Sequence, residues 1–145
     1  MKILDVNLLL YAIDSRSAHH ANARNFLDRV LNTDETVALP WSVVLGFLSV
    51  VTNARVFPNP LTSEQAIAVV DGWLARPNVV ALEAGPEHWG IVRGLMRETG
   101  TAGSLVSDAH LAAMAIERGA ELCSSDADFA RYAPLKWVDP VRAGS

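Results

Sequence analysis

The chain has 145 residues, of which half are hydrophobic and 19% are charged; this composition excludes a disordered segment and predicts one domain spanning residues 1–145. The formal net charge is −4 at pH 7, which excludes a generally basic surface of the kind that attracts nucleic-acid phosphates. It leaves open a nuclease that holds cations with carboxylates, because a bound metal supplies positive charge at the reacting phosphate.

The apolar pattern alternates between short runs typical of buried strands and the spacing typical of amphipathic helices. In the first predicted helix, four apolar side chains share one face: Ala23, Phe26, Leu27 and Val30. Strands are predicted over residues 2–7, 36–39, 78–82, 121–124 and 136–138. Helices are predicted from residue 17, over 41–51, from 62 to before 77, from 86 to near 100, and over 105–118. A frayed end is predicted from residue 139.

Strands that alternate with helices predict an α/β fold with three layers, α/β/α, in which helices flank a mainly parallel central sheet. In such sheets ligands bind beyond the carboxyl ends of the strands. Acidic residues that follow a strand are therefore candidates for a functional site.

Acidic residues lie at the predicted ends of two strands and at the start of one helix. Asp5 and Asn7 end the first strand, Asp126 and Asp128 follow the fourth, and Asp108 begins a helix. Each aspartate alone is equally consistent with a helix-terminal charge or a turn former. Together they would repel one another unless a cation were bound, and Mg²⁺ or Mn²⁺ prefers such oxygen ligands. The pattern therefore indicates a metal site.

Three segments of the chain resemble the VapC branch of the PIN-domain family. They are Asp5-Val6-Asn7-Leu8-Leu9-Leu10-Tyr11-Ala12, Asp108-Ala109-His110-Leu111-Ala112-Ala113 and Ser124-Ser125-Asp126-Ala127-Asp128-Phe129, which span most of the chain in the family's order. The resemblance implies a PIN-like fold and a Mg²⁺- or Mn²⁺-dependent endoribonuclease that cuts RNA with a metal-activated water. It also implies a toxin with a cognate antitoxin, and a homodimer formed through the apolar helix at residues 41–51.

The same resemblance implies a role for each residue of the site. Asp5, Asp108 and Asp126 match the metal-binding core, and Asp128 matches a supporting or second-metal ligand. Asn7 and Ser124 match positions that orient the acidic cluster. One departure concerns a glutamate that many family members carry after the second strand. Its expected position here is Phe47, or Gly46 under a shifted alignment.

The remaining polar and aromatic residues receive structural interpretations. His19 is expected to be a solvated helical residue, and His110 to pack or to cap a helix. Core or dimer packing is expected for the four tryptophans, Trp41, Trp73, Trp89 and Trp137. The single cysteine, Cys123, and the lack of a long apolar run predict a cytoplasmic protein that does not enter a membrane.

Three alternative functions remain open at this point. A PIN nuclease could process RNA without an antitoxin, and the missing glutamate is compatible with an inactive PIN fold that only binds. A phospho-accepting receiver module also places carboxylates beyond a parallel sheet. That module needs paired acids after the first strand and a lysine near the last, and here Lys136 is present but Val6 follows Asp5.

Overall fold

Parallel strands form the central sheet of this protein, whose computed structural model describes residues 1–142. The strands within that range are β1 (Lys2–Leu4), β2 (Val37–Pro40), β3 (Val79–Leu82), β4 (Glu121–Cys123) and β5 (Lys136–Val138). Their order across the sheet is β3-β2-β1-β4-β5, and all four pairings are parallel. The predicted parallel sheet is therefore confirmed, including its fifth strand.

Six α-helices flank the sheet within the described range. They are α1 (Val6–Ile13), α2 (His20–Leu31), α3 (Trp41–Val51), α4 (Ser63–Leu74), α5 (His88–Thr99) and α6 (Val106–Arg118). Short 3-10 helices cover Gly103–Leu105 and Ala127–Arg131. The arrangement confirms the predicted three-layer α/β/α fold. None of these helices is long and apolar enough to cross a membrane.

The core lies along the central strands and the helices that cover them. Ile3, Leu4 and Leu122 are fully buried because β1 and β4 have neighbours on both sides and helices above and below. The predicted face of α2 is buried as the spacing indicated. Burying these side chains stabilises the fold by about 1.5–3 kcal/mol each, and it holds the carboxyl ends of β1 and β4 in fixed positions.

Local signals in the sequence set several helix ends. Thr62 and Gln65 form the predicted capping box at the start of α4. Gly119 ends α6 with a φ of 60°, a backbone conformation that favours glycine. Glu117 accepts hydrogen bonds from the backbone of Gly85 and Glu87, so α6 is tied to the loop before α5. A Cβ at Gly85 would collide with that carboxylate.

Two boundaries differ from the sequence predictions. The first strand ends at Leu4 and not at residue 7, and the residues after Asp5 form α1, a helix that was not predicted from the sequence. Asp5 caps this helix by accepting a hydrogen bond from the amide of Val6, so the apolar run that follows continues as a helix. The predicted frayed end is wrong for Pro140 and Val141, which are buried. Residues 143–145 lie outside the described residues, so one domain over 1–145 stays a prediction.

Candidate metal centre

The site begins where the two central strands end side by side. Leu4 of β1 pairs with Cys123 of β4, so the next residues, Asp5 and Ser124, are neighbours at the same edge. The Asp5 amide extends the ladder by donating to the Cys123 carbonyl at 2.9 Å. Its side chain accepts a hydrogen bond from the Ser124 hydroxyl at 2.6 Å. The sheet register therefore fixes the first carboxylate.

Ser124 joins the first carboxylate to the second. Its buried hydroxyl donates to Asp5 and accepts from the Asp126 amide at 3.0 Å and from the Asn7 amide group at 3.2 Å. The Asn7 side chain also donates to Asp5 at 3.4 Å and accepts from the Ser125 amide at 3.4 Å. Both predicted supporting residues thus contact the acidic groups, and each does so through a directed hydrogen bond.

The third carboxylate comes from α6. Asp108 is the third residue of that helix and faces a cavity of about 290 Å³ that Asp5, Asn7 and Asp126 also line. One carboxylate oxygen from each of Asp108, Asp126 and Asp128 lies within 4.8 Å of the others, a spacing that could hold a metal ion. Three remote parts of the sequence therefore deliver carboxylates to one place.

Burial and mutual repulsion change how two of these carboxylates titrate. Burial, together with the negative charges of Asp126, Asp5 and Asp128, raises the pKa of Asp108 to about 6, while the positive charge of Arg131 opposes the rise. Burial also raises the pKa of Asp5, against the hydrogen bonds from Ser124 and Val6 that lower it. Negative charge at this edge of the sheet is therefore costly without a cation.

Asp128 lies at the outer side of the cluster. It is exposed, and its carboxylate lies 3.3 Å from the Arg131 guanidinium. Its backbone amide donates to the Asp126 side chain at 2.9 Å, which starts the short 3-10 helix over Ala127–Arg131. The group of carboxylates spaced for a metal ion thus contains Asp128 in place of the predicted Asp5, and the supporting role of Asp128 stays a prediction.

The two positions expected for the absent glutamate differ in their surroundings. Phe47 is fully buried and packs edge-on against Trp73, with ring centroids 4.8 Å apart. A Cβ on Gly46 would lie 3.8 Å from a methyl group of Val6, so this position faces α1. On α3, Ser42 and Val43 line the acidic cavity instead. The chain therefore offers a hydroxyl there, and no acid.

Two further site residues were missed as functional candidates. His110 was expected to pack or cap, and it does pack against His88, but it also lines the acidic cavity with Ser107. Burial and the charge of His88 lower the pKa of His110. Only its position next to Asp108 in the sequence could have suggested this, because the contact with His88 depends on how α5 packs on α6.

A second cavity of about 420 Å³ is lined by Tyr11, His19 and Ser125 among others. The His19 ring lies 4.8 Å from that of Tyr11, and the residue is exposed as predicted. His19 is the residue just before α2 begins, whereas the sequence prediction placed it within that helix.

The tryptophans divide into two pairs. Trp73 packs on Phe47, and the partly buried Trp137 donates its indole N–H to the Ser124 carbonyl at 3.0 Å. Core packing within the chain is wrong for Trp41 and Trp89, which are 43% and 64% exposed. Dimer packing stays a prediction for these two.

The lysine required by the receiver alternative is in the wrong place. Lys136 begins β5 and pairs in register with Glu121, at the amino end of the sheet. The carboxylates lie at the opposite, carboxyl end. The geometry of a phosphoryl site with a supporting lysine is therefore not present in residues 1–142.

The arrangement matches a known family over most of its length. The family sequence model described as PIN domain matches residues 2–135 of this chain. The chain belongs to the PIN-domain family. Ribonuclease VapC33 of Mycobacterium tuberculosis is 46% identical over 142 residues, which are 98% of this chain and 99% of that protein. This PIN domain is thereby placed in the VapC branch that its three motifs resemble.

Solved structures share the fold of this PIN domain at low sequence identity. VapBC2 from Rickettsia felis, bound to a promoter DNA fragment, aligns with a TM-score of 0.68 and 20% identity, covering 94% of this chain and 96% of that one. A toxin-antitoxin complex from Klebsiella pneumoniae aligns with a TM-score of 0.66 and 15% identity, covering 97% and 98%. The PIN-like fold predicted from the sequence is confirmed.

Proposed function

We propose that this VapC-type PIN-domain ribonuclease hydrolyses RNA with Mg²⁺ or Mn²⁺ held by Asp5, Asp108 and Asp126, supported by Asp128. The observation that carries the proposal is the convergence of carboxylates from three remote segments: Asp5, Asp108 and Asp126 line one cavity, and oxygens of Asp108, Asp126 and Asp128 lie within 4.8 Å of one another. Burial and the neighbouring carboxylates raise the pKa of Asp108, so its negative charge is costly and a divalent cation has a favourable place to bind.

The donor set fits a hard cation of this kind. Carboxylate oxygens are the ligands that Mg²⁺ and Mn²⁺ prefer, and a few protein ligands leave coordination positions for water and a phosphate oxygen. Such a cation would stabilise charge developing on the phosphate and lower the pKa of the attacking water. Because aspartates are the only anionic side chains that line the cavity within the described residues, part of the coordination falls to solvent or substrate.

The residues around the carboxylates hold them in position. Ser124 and Asn7 direct one oxygen of Asp5 through donated hydrogen bonds, while Val6 directs the other. The Asp126 carboxylate accepts from the Asp128 amide, which leaves its second oxygen available. Fixed ligands of this kind lower the entropy cost of binding a cation and of orienting the phosphate.

Cleavage of a structured RNA such as tRNA, with and without Mn²⁺, tests the proposal. We expect cleavage in Mn²⁺ or Mg²⁺, none in EDTA, and near-complete loss in Asp108→Asn. Asp71→Asn, which removes an exposed carboxylate of α4, is the matched control and should cleave normally. Metal-independent cleavage, or an active Asp108→Asn enzyme in excess Mg²⁺, would contradict the mechanism.

We also propose that the enzyme acts in the cytoplasm as the toxin of a toxin–antitoxin pair. The toxin-antitoxin complex that shares its fold supports this. An antitoxin arginine could bind two carboxylate oxygens of the acidic cluster at once and so compete with metal. Excess Mn²⁺ should then dissociate the complex more than NaCl of equal ionic strength does. Equal dissociation by both salts would mean that inhibition acts elsewhere.

The remaining alternative is a PIN ribonuclease that processes RNA without an antitoxin. Expression of the chain alone should arrest growth if it is a toxin, and co-expression of the protein encoded next to it should restore growth. Cleavage of RNA without growth arrest would favour the processing enzyme.

We propose that a homodimer forms through the start of α3. Trp41 is 43% and Leu45 is 61% exposed, and both line an apolar groove with Leu82 and Met114. Exposed apolar patches of this kind mark interaction surfaces. A dimer at tens of micromolar protein, a range typical of weak self-association, is expected by sedimentation. Leu45→Glu should yield monomer, and a wild-type monomer at that concentration would contradict the proposal.

A further inference from the structure

A pair of histidines lies between α5 and α6 next to the acidic cavity. The Nδ1 atom of His110 is 2.8 Å from the Nε2 atom of His88, and the rings meet edge-on with centroids 4.7 Å apart. An N···N contact this short requires one nitrogen to donate a hydrogen and the other to accept it. The pair is therefore a directed hydrogen bond, and His110 has one ring nitrogen left, Nε2.

The surroundings of His88 indicate the direction of that bond. Its Nδ1 atom is buried and has no hydrogen-bond partner among residues 1–142. If His110 donated, the proton of a neutral His88 would sit on this Nδ1 as a buried, unpaired N–H, which is a rare arrangement in folded proteins. If His88 donates, its buried Nδ1 is only an unpaired acceptor. His110 then accepts at Nδ1 and carries its own hydrogen on Nε2.

The charges that line the cavity indicate a ligand for the Nε2–H donor of His110. Within the described residues, no lysine or arginine lines the acidic cavity, whose walls carry three aspartates together with asparagine, serine and histidine. An RNA backbone entering this cavity brings phosphate charge toward carboxylates. Apart from a cation, the donors that the cavity wall itself offers to a phosphate are neutral, because Arg131 lies outside the wall and pairs with Asp128 at 3.3 Å. His110 and Asp108 both reach the wall of this cavity from α6.

We propose that His110 donates its Nε2–H to a phosphate oxygen of the RNA next to the metal-binding carboxylates, and that His88 is the positioning residue that fixes its tautomer and ring orientation. The inference rests on the proposed ribonuclease function, because the ligand is the RNA backbone. It assigns α5 a role in substrate binding although α5 contributes no carboxylate to the cluster.

The first test reads the tautomer directly, without activity. Long-range ¹H–¹⁵N spectra of the metal-free protein distinguish a histidine protonated on Nε2 from one protonated on Nδ1. We expect both His88 and His110 to be protonated on Nε2, and His110 to change in the His88→Ala variant. A hydrogen on Nδ1 of His110 would overturn the proposal, because its Nε2 could not then donate.

The second test measures RNA affinity. The probe is a fluorescein-labelled single-stranded RNA of mixed sequence, followed by anisotropy in Ca²⁺, with a gel to verify that the RNA stays intact. His110→Ala should raise the Kd about tenfold, the effect of losing one hydrogen bond to a charged group. His110→Gln, whose amide lies close to the position of Nε2, should stay within about threefold. His20→Asn is the matched control, since His20 contacts the Tyr11 carbonyl away from this cavity.

Variants of His88 separate positioning from packing. His88→Phe keeps a ring against His110 but cannot donate, whereas His88→Gln keeps a donor near Nε2. We expect His88→Phe to weaken RNA binding and His88→Gln to restore it, with the Mn²⁺ affinity and melting temperature of the two variants alike. The His88→Phe/His110→Ala double variant should bind RNA no worse than His110→Ala alone. Tight binding by His88→Phe would overturn the positioning role.

The outcomes also separate this inference from the proposed function. A wild-type protein that neither bound nor cleaved RNA would overturn both. A wild-type protein that bound RNA, with His110→Ala binding equally well, would overturn only the inference.

Discussion

Charged side chains lie close together at both ends of the same sheet, but their signs differ at one end and are alike at the other. At the amino end, the Lys2 ammonium lies 2.6 Å from Glu121 and 3.8 Å from Glu35, and the terminal amine lies 3.5 Å from Glu35. At the carboxyl end, Asp108 shares a cavity with two other aspartates. At the amino end opposite charges therefore neutralise one another, whereas at the carboxyl end like charges share one cavity.

The pKa shifts follow this contrast. The hydrogen bond and charge of Glu121 raise the pKa of Lys2, which stabilises its charged form. At the other end, burial and neighbouring carboxylates raise the pKa of Asp108, which destabilises its charged form. Charges brought together by strand register can thus either stabilise a fold or create a binding site, depending on whether their signs differ.

The largest expected effect is on catalysis at the carboxyl end. Asp126→Asn keeps the side-chain acceptor for the Asp128 amide and removes only the charge. We expect RNA cleavage to fall by about a hundredfold or more, because a metal ligand and its electrostatic contribution are lost. Lys2→Met, at the amino end, should cleave within twofold of wild type. Equal losses of RNA cleavage in Asp126→Asn and Lys2→Met would show that catalysis does not depend specifically on the carboxylates at the carboxyl end.

The second expected effect is stabilisation by metal. Mn²⁺ at about 100 times its Kd should raise the free energy of unfolding by about 2.7 kcal/mol. For a chain of this size the gain should raise the melting temperature by roughly 5–10 °C. Thermal melts with Mn²⁺ and with EDTA measure it. Asp126→Asn should lose most of the shift and Lys2→Met should keep it; a shift of full size in Asp126→Asn would remove that residue from the ligand set.

The third effect concerns stability at the amino end. Lys2→Met leaves Glu35 and Glu121 without their ammonium partner, so we expect the free energy of unfolding to fall by about 1 kcal/mol, a modest value because solvent screens the group. Urea unfolding at low ionic strength measures this loss, and 1 M NaCl should reduce it. A loss that is unaffected by salt would indicate packing of the lysine stem instead.

The smallest effect is the pH dependence of the metal-free protein. Because the pKa of Asp108 rises from 3.8 unfolded to about 6 folded, the folded state binds this proton more tightly. Wild type should therefore lose stability relative to Asp108→Asn as the pH rises from 3.8 through about 6. The variant should be more stable by about 0.5–1 kcal/mol at pH 7, after allowance for screening, and equal near pH 4. Urea melts across this range measure the difference; a constant difference would contradict the shift.

The carboxyl end was predictable from the sequence to a useful extent. Parallel strands end at one edge, so acids following the first and fourth strands could be expected to meet. The helix after Asp5 was missed because a short apolar run fits a strand or a buried helix equally well. The deciding feature is the capping bond from Val6 to Asp5, which only the structure reveals.

Contacts between distant elements were not predictable in the same way. Lys2 meets Glu121 because their strands pair in register, and no single-sequence pattern encodes which strands are neighbours. His88 meets His110 because α5 packs on α6, a contact between residues 22 positions apart. The absent glutamate could be recognised from the sequence, but the hydroxyl of Ser42 at the rim could be found only from the packing of α3.

The central place of β1 in the sheet also affects when the enzyme becomes active during its synthesis. The first strand to leave the ribosome needs β4 as its neighbour, and Ser124 and Asp126 come from the last fifth of the chain. Domains fold as units while the chain is being made. A nascent chain that already carries Asp5 and Asp108 thus lacks the strand that aligns them. A complete acidic cluster would form only once β4 and Asp126 have left the ribosome, and the messenger being read would be exposed to it only from that point.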